Sequence, residues 1–316
     1  MLGPKIWGWV TLAASSVQCL AIQAPLDLGN GFSLTVDERV NHLSVNSQNG
    51  TLWETLPGRS FLSASAGLDQ VVDSSGNFKI TELDRNKCTS GRIHQVIQQQ
   101  WPGSANKNAA VVQGLLSGCG NVTTEFSMAF YVPAEFPDRV AFRISINPGS
   151  AADPLTKLFL TYRSSPSEDS YGLGGQASFA SLKNQSVPIF SREQGVGRGD
   201  QPTTRLEDEE SFFSGGTQFT SYTAIPQYIT SGARVFHLSE DSTAYANFDF
   251  QDPQAVTVRY AALKVEGYFM QASDMLHGIS MLTEYTGRMP ELPRWVDTGR
   301  SRSNQSSGQR FLTRSS

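Results

Sequence analysis

Short runs in which apolar and polar residues alternate one by one fix the class of fold open to this chain. Phe32, Leu34 and Val36 alternate with polar neighbours. So do Phe142, Ile144 and Ile146, then Ala244, Ala246, Phe248 and Phe250, then Val256, Val258 and Tyr260. A period of two turns one set of side chains toward a core and the other toward water, the signature of antiparallel sheets. Turn clusters separate the runs: Asp73-Ser74-Ser75-Gly76-Asn77, Asn147-Pro148-Gly149-Ser150 and Ser164-Ser165-Pro166-Ser167. With 28 Gly and 15 Pro in 316 residues, the pattern predicts a mainly β protein, an antiparallel β-sandwich or barrel. One segment reads as a helix. Ser273 is the expected N-cap with Asp274 in the first turn, Met275, Leu276, Ile279, Leu282 and Tyr285 form the apolar stripe, and Gly287 is the stop.

The rest of the chain divides by composition. Residues 1–21 read as a signal peptide. Lys5 gives the positive start, Ile6 to Val17 is mostly apolar or small, and cleavage is expected after Ala21, with Ala24 as the alternative. The apolar run falls short of the roughly 20 residues that a membrane span needs. Residues 22–270 are expected to form an N-terminal β-sandwich domain, and 271–299 a linking helix and the start of a further domain. Residues 300–316, rich in Ser, Arg, Gln and Asn, cannot bury enough surface to order themselves and read as a disordered tail. A formal net charge of −4 gives no reason to expect nucleic acid or a membrane as partner.

Without its leader the chain keeps Cys88 and Cys119, an even number in an oxidising compartment, which predicts a disulfide. Sequons at Asn49, Asn121 and Asn184, with a fourth at Asn304 in the tail, fit a glycosylated, secreted, extracellular protein. The four histidines, His42, His94, His237 and His277, are scattered singly, so neither a metal nor a cofactor is expected. His237 and His277 read as structural.

The second half carries a resemblance. Tyr171-Gly172-Leu173-Gly174-Gly175-Gln176 is similar to the Y-G-L-G-E-Q stretch of family 31 glycoside hydrolases. Glu193-Gln194-Gly195-Val196-Gly197-Arg198 resembles a loop of that family's sulfoquinovosidase type. Pro226 to Ser231, Asn247 to Phe250, Tyr285-Thr286-Gly287 and Pro290-Glu291-Leu292-Pro293-Arg294-Trp295 follow in the family's order. The resemblance covers about residues 160 to 299 and departs from the family at Gly175, where a Glu is usual. It implies an N-terminal sandwich of the galactose-mutarotase-like kind, followed by one helix and the truncated entrance of a (β/α)8 barrel. The implied activity is that of a retaining α-glycosidase whose two catalytic carboxylates lie on barrel strands after Trp295. On that reading the chain as written has no catalytic residues of its own.

Retaining hydrolysis needs two carboxylates about 5–5.5 Å apart. The carboxylates nearest the matched motifs are Glu193, Asp249 and Asp252. Asp249 alternates with Phe248 and Phe250 and reads as the wet side of a strand, and Asp252 before Pro253 reads as a turn. The loop from Arg192 to Gly199 supplies the candidate substrate contacts, Arg192, Glu193, Gln194 and Arg198, donors and acceptors suited to an α-glycoside or an anionic sugar. It either lines the substrate pocket or packs the sandwich on the barrel. No helix pattern follows the loop, Glu207 to Glu210 read as a solvated acidic turn, and Arg198-Gly199-Asp200 is explained by the loop itself. A different class of function remains open: a stand-alone carbohydrate-binding module, with Trp53, Trp101 or Tyr228 stacking on sugar across a concave face.

Overall fold

A computed structural model describes residues 24–74, 76–119, 122–149, 153–193, 195–239 and 244–293. Residues 1–21, read as a leader, and 300–316, read as a tail and carrying Asn304, lie outside the described residues, as do Asn121, Gln194, Arg294 and Trp295. The chain divides into two compact units, Met1–Gly278 and Ile279–Ser316.

The first unit is antiparallel β almost throughout. It opens with β1 (Leu26–Gly29), β2 (Phe32–Asp37), β3 (His42–Ser47) and β4 (Gly50–Glu54), a meander that forms a sheet of its own. Then come β5 (Leu62–Ala66), a lone hairpin of β6 (Gln70–Ser74) and β7 (Asn77–Thr81), β8 (Arg85–Cys88), and the long strands β9 (Ser90–Gln100), β10 (Asn108–Cys119) and β11 (Val122–Tyr131). They are followed by β12 (Arg139–Ile146), β13 (Leu155–Arg163), β14 (Ser170–Gly174), β15 (Ser186–Ile189), helix α1 (Thr203–Glu210), β16 (Ala224–Thr230), β17 (Arg234–Leu238), β18 (Ala246–Asp249), β19 (Ala255–Tyr260) and β20 (Lys264–Gln271). Two large sheets result, of order β14-β16-β17-β20-β12-β11-β10-β9 and β15-β18-β19-β13-β5-β8.

The alternating residues hold these sheets face to face. Phe142, Ile144 and Ile146 of β12 are buried, as are Phe248 of β18 and Val258 and Tyr260 of β19. Rings interlock across the gap: Phe236 meets Phe248 edge-on with centroids 5.8 Å apart, and the hydroxyls of Tyr162 and Tyr228 bond at 2.8 Å. Two glycines inside strands make room for large partners. Phe142 pairs with Gly267, and a Cβ there would lie 2.5 Å from the ring; Phe126 pairs with Gly114, where the gap would be 2.3 Å. The small sheet joins the same core through Leu34, Val45 and Trp53. Cys88, ending β8 on the six-stranded sheet, is disulfide-bonded to Cys119, ending β10 on the eight-stranded one.

The outer face of the six-stranded sheet carries a dense set of ion pairs. Lys157 of β13 and Arg259 of β19 are buried, and both reach Asp69 and Asp84, at 3.1 and 3.5 Å for Lys157 and 2.6 and 3.0 Å for Arg259. Arg259 also lies 3.5 Å from Glu82, which accepts from Tyr245 Oη at 2.9 Å. These acids flank the hairpin β6–β7, so the network fastens the hairpin's base to the sheet. On the eight-stranded sheet His237 is buried, with its pKa pulled down to about 4 by desolvation and by Arg139, so the ring is neutral at neutral pH.

Two expectations about helices need correction. The segment Glu207 to Glu210, read as a turn, is the last turn of α1. Thr204 is the helix's single buried residue, so there is no apolar stripe to see in the sequence. Helix α2 (Met275–Thr286) forms as expected and Gly287, at φ +86°, follows it, but its cap is Asp274, whose Oδ1 accepts from His277 N at 2.9 Å. Ser273 donates to Asp274 Oδ2 instead. The stripe is also displaced: Leu276 and Ile279 are 79% and 47% exposed. Gly278 takes the inward position, where a Cβ would stand 2.5 Å from Ile229, and hydrophobicity alone does not mark a glycine as inward-facing. Of the second unit, the described residues are the end of α2 and an irregular segment with Met289 and Leu292 exposed.

Candidate functional site

Three of the motifs quoted from the second half, Tyr171 to Gln176, Arg192 to Gly199 and Pro226 to Ser231, meet at one corner of the first unit. β14 and β16 pair there, with Tyr171 opposite Ile229 and Gly172 opposite Tyr228. The approach is close enough to require glycine: a Cβ on Gly172 would lie 2.7 Å from the Gln227 carbonyl oxygen, and one on Gly174 2.1 Å from that of Thr223. Both adopt positive φ, +132° and +105°. Gly175 is different. It donates to Thr223 O at 2.8 Å, and a Cβ there would meet nothing nearer than Ser221 Oγ at 3.7 Å. The position has room for a side chain, so the departure from the family's Glu leaves the backbone intact. Gly175→Ala is accordingly expected to be neutral or to stabilise by about 0.4–1 kcal/mol through the unfolded chain, while Gly174→Ala costs more than about 2 kcal/mol. Thermal unfolding of the two variants side by side checks this; equal effects would mean the backbone tolerates both.

The loop Arg192 to Gly199 folds back on this pair of strands. Arg192 N donates to Ser221 O at 3.0 Å, Glu193 N to Gly76 O in the tip of the hairpin β6–β7, Gly195 N to Ser214 O and Arg198 N to Gly215 O. The surface that the loop's glycines approach is the chain's own. A Cβ on Gly197 would sit 2.6 Å from Thr204 Oγ1, and one on Gly195 3.2 Å from Thr220 Cγ2. A helix, α1, does follow the loop, against expectation; Gly199 N donates to Thr204 Oγ1 at 2.8 Å.

The candidate residues fare differently. The buried Arg192 guanidinium donates to Phe78 O at 3.0 Å and to Phe213 O. Burial pushes its pKa below the ordinary arginine range, with Asp208 pulling the other way. Half-buried Arg198 donates to Gln176 O, to Ser178 Oγ at 3.0 Å and to Gln218 O at 2.7 Å, linking the loop to the Gly172–Gln176 motif. Both guanidiniums thus grip backbone carbonyls of their own domain. Glu193 is exposed, its stem lying across the Gly76 turn. Beside it a depression of about 570 Å³ is bordered by Val196, Phe212, Glu207 and Glu210, so the charged side chains at its edge are acidic.

Sequence reading missed the residues that shape the loop from beneath: Thr204, Ser214, Thr220 and Ser221, all buried hydroxyls. A cluster of Ser and Thr beside glycines was the available signal, but such clusters also mark ordinary turns. Asp249 and Asp252 hold local turns, accepting from Gln251 N at 3.0 Å and Gln254 N at 2.9 Å, and Asp252 also pairs with Arg59. Among the described residues no group of three or more His, Cys, Asp or Glu is placed to hold a metal, and no helix is long and apolar enough to cross a membrane. Asn49 and Asn184 are exposed. The stacking platforms need correction. Trp53 and Tyr228 are core residues, 5% and 6% exposed, because Phe130, Tyr162 and Phe269 pack around the first and Phe248 and Phe250 against the second; Trp101 alone is half-exposed, beside Tyr131 and under Arg143.

No protein-family model matches the sequence. Among curated proteins the chain is 28% identical over 143 residues to the sulfoquinovosidase of Escherichia coli K12, covering 45% of this chain and 21% of that protein. It is 26% identical over 147 residues to the sulfoquinovosidase of Agrobacterium fabrum, covering 46% and 22%. Its fold is that of the corresponding part of a GH31 family sulfoquinovosidase from E. rectale solved with an aza-sugar inhibitor, with TM-score 0.63 and 22% identity over 83% of this chain and 35% of that one. The chain spans about a fifth of the length of the curated relatives it matches. It resembles the N-terminal region of a family 31 glycoside hydrolase in sequence and in fold.

Proposed function

We propose that this chain is the N-terminal, non-catalytic sandwich of a secreted α-glycosidase of the sulfoquinovosidase type, and that its loop Arg192 to Gly199 meets the substrate at the mouth of a catalytic barrel. One observation carries the reading: three separate stretches that resemble the family, Tyr171 to Gln176, Arg192 to Gly199 and Pro226 to Ser231, lie together, with Arg198 stitching the loop to the Gly172–Gln176 stretch. Arg192 and Arg198 hold the loop's shape in this scheme, and Glu193 is the group it presents. Hydrolysis is then the work of the whole enzyme. Secretion is supported by the disulfide between Cys88 and Cys119 and by the exposed sequon residues Asn49 and Asn184.

The pure chain is expected to release no aglycone from 4-nitrophenyl α-glycosides or from the corresponding α-sulfoquinovoside. Heat-labile turnover by the chain alone would refute this. In an enzyme that carries both sandwich and barrel, Glu193→Gln is expected to raise KM about tenfold, the effect of one weakened charge-assisted hydrogen bond, with thermal stability unchanged. Unaltered kinetic constants would remove the loop from the substrate pocket. Secretion is checked by a loss of mass on enzymatic removal of N-glycans from the protein in the medium.

A further inference from the structure

A cavity of about 320 Å³ opens where β4, the end of β13, β16, β17 and β20 meet. Its wall is aromatic. Trp53 stacks on Phe269 with centroids 4.8 Å apart, and Tyr162 stacks on Phe236 at 5.3 Å. Its mouth is charged but balanced: Arg163 pairs with Glu54 at 3.0 Å, and Arg234 pairs with Glu168.

Two polar atoms on residues of this wall have no partner, the indole Nε1 of Trp53 and Oε2 of Glu168. The first can only donate and the second, in a carboxylate, can only accept. Leaving either unmet in a buried site is costly, so both call for a ligand that accepts at one point and donates at another. Hydroxyl groups do both, and the edges of the rings that border the cavity are compatible with the C–H groups between them. The volume lies at the lower end of the range for small-molecule pockets, roughly 300–1,000 Å³. Because each arginine at the mouth already has its carboxylate, an anion would have to break a pair, whereas a neutral ligand would not.

We infer that this cavity is a binding site for a neutral, hydroxylated ligand of monosaccharide size, held by the Trp53 indole N–H and the Glu168 carboxylate against the aromatic wall. None of the residues that line the cavity belongs to the loop Arg192 to Gly199, and the inference does not depend on the reading of that loop.

The test is a titration of the full chain, labelled with nitrogen-15 at tryptophan, with methyl α-D-glucopyranoside. The Trp53 indole resonance is identified by its loss in Trp53→Phe or, should that variant not fold, by its cross-peaks to the Phe269 ring. It is expected to shift and to saturate with half-effect at about 1–10 mM, the affinity expected of so small a ligand. Glu168→Gln, which keeps the shape, is expected to weaken binding about tenfold. The anionic methyl α-sulfoquinovoside is expected to bind at least tenfold more weakly than the glucoside. A Trp53 resonance that stays in place to about 100 mM glucoside, or moves no more than that of Trp101, would show that the cavity takes water alone and overturn the inference. Equal binding of the anionic sugar would overturn its neutrality.

Discussion

Replacing Arg259 with methionine is expected to destabilise the first unit by about 3–5 kcal/mol, because it strips a buried cation from three acids at once. Arg259 is 5% exposed and serves Asp69, Asp84 and Glu82; without it, Lys157 alone faces Asp69 and Asp84. Methionine keeps the packing beneath Phe159, so the loss reports charge more than volume. The melting temperature should fall on the order of 10 °C at pH 7. The same network sets an acid limit. Burial alone would raise the pKa of Asp69, but Arg259, the Leu83 N–H and Lys157 outweigh it and bring it down to about 2 from the ordinary 3.8. A carboxylate with a depressed folded pKa stabilises fully above its unfolded value, and that contribution, on the order of 2 kcal/mol, is lost as pH falls from about 4 toward 2. Melts of the parent and of R259M at pH 7 and pH 2.5 check both claims, and the gap between the two proteins should narrow in acid. A loss below about 1 kcal/mol at pH 7 would mean that water screens the network like an ordinary surface pair.

The second large effect is expected from the disulfide. Cys88 and Cys119 are 31 residues apart, and opening a loop of that length should cost roughly 3–4 kcal/mol in the chain-entropy model. The damage should be local at first. Among the described residues β8 pairs only with β5, through Ala64–Cys88 and Ala66–Arg85, so the bond to β10 is its second anchor. Reduction with dithiothreitol, or the paired replacement of Cys88 and Cys119 with alanine, should lower the melting temperature on the order of 10 °C. Amide exchange should speed up in β8 before it does in β12. Uniform acceleration across the eight-stranded sheet would show that the bond supports the core as a whole.

The sandwich was legible because its strands are half-buried. Phe142, Ile144 and Ile146, or Phe248 and Phe250, write their burial into alternate positions. Helix α1 was not legible, since one buried threonine makes no stripe, and α2 was read with its face displaced because Gly278 packs inward without hydrophobicity to reveal it. The candidate site was legible as a set of donors but not as an arrangement. Arg192 and Arg198 look equipped for a sugar, yet the groups they hold are carbonyls of Phe78, Phe213, Gln176 and Gln218, and backbone acceptors carry no mark in a sequence. Aromatic residues mislead in the same way. Trp53 and Tyr228 are as suited to a wall between sheets as to an open platform, and only their neighbours decide.

The hairpin β6–β7 pairs with no other strand among the described residues, and a free two-stranded ribbon is marginal in water. Here it is clamped at its root by Asp69 and Asp84 and at its tip by Glu193 and Arg192. It therefore works as a splint, about 17 Å long for five residues a strand, that carries the stiffness of the six-stranded sheet out to the loop. The turn Asp73 to Asn77 looks like any surface tip where an extra residue would pass unnoticed. Lengthening it would instead push on Glu193, so the length of this turn is part of the loop's specification.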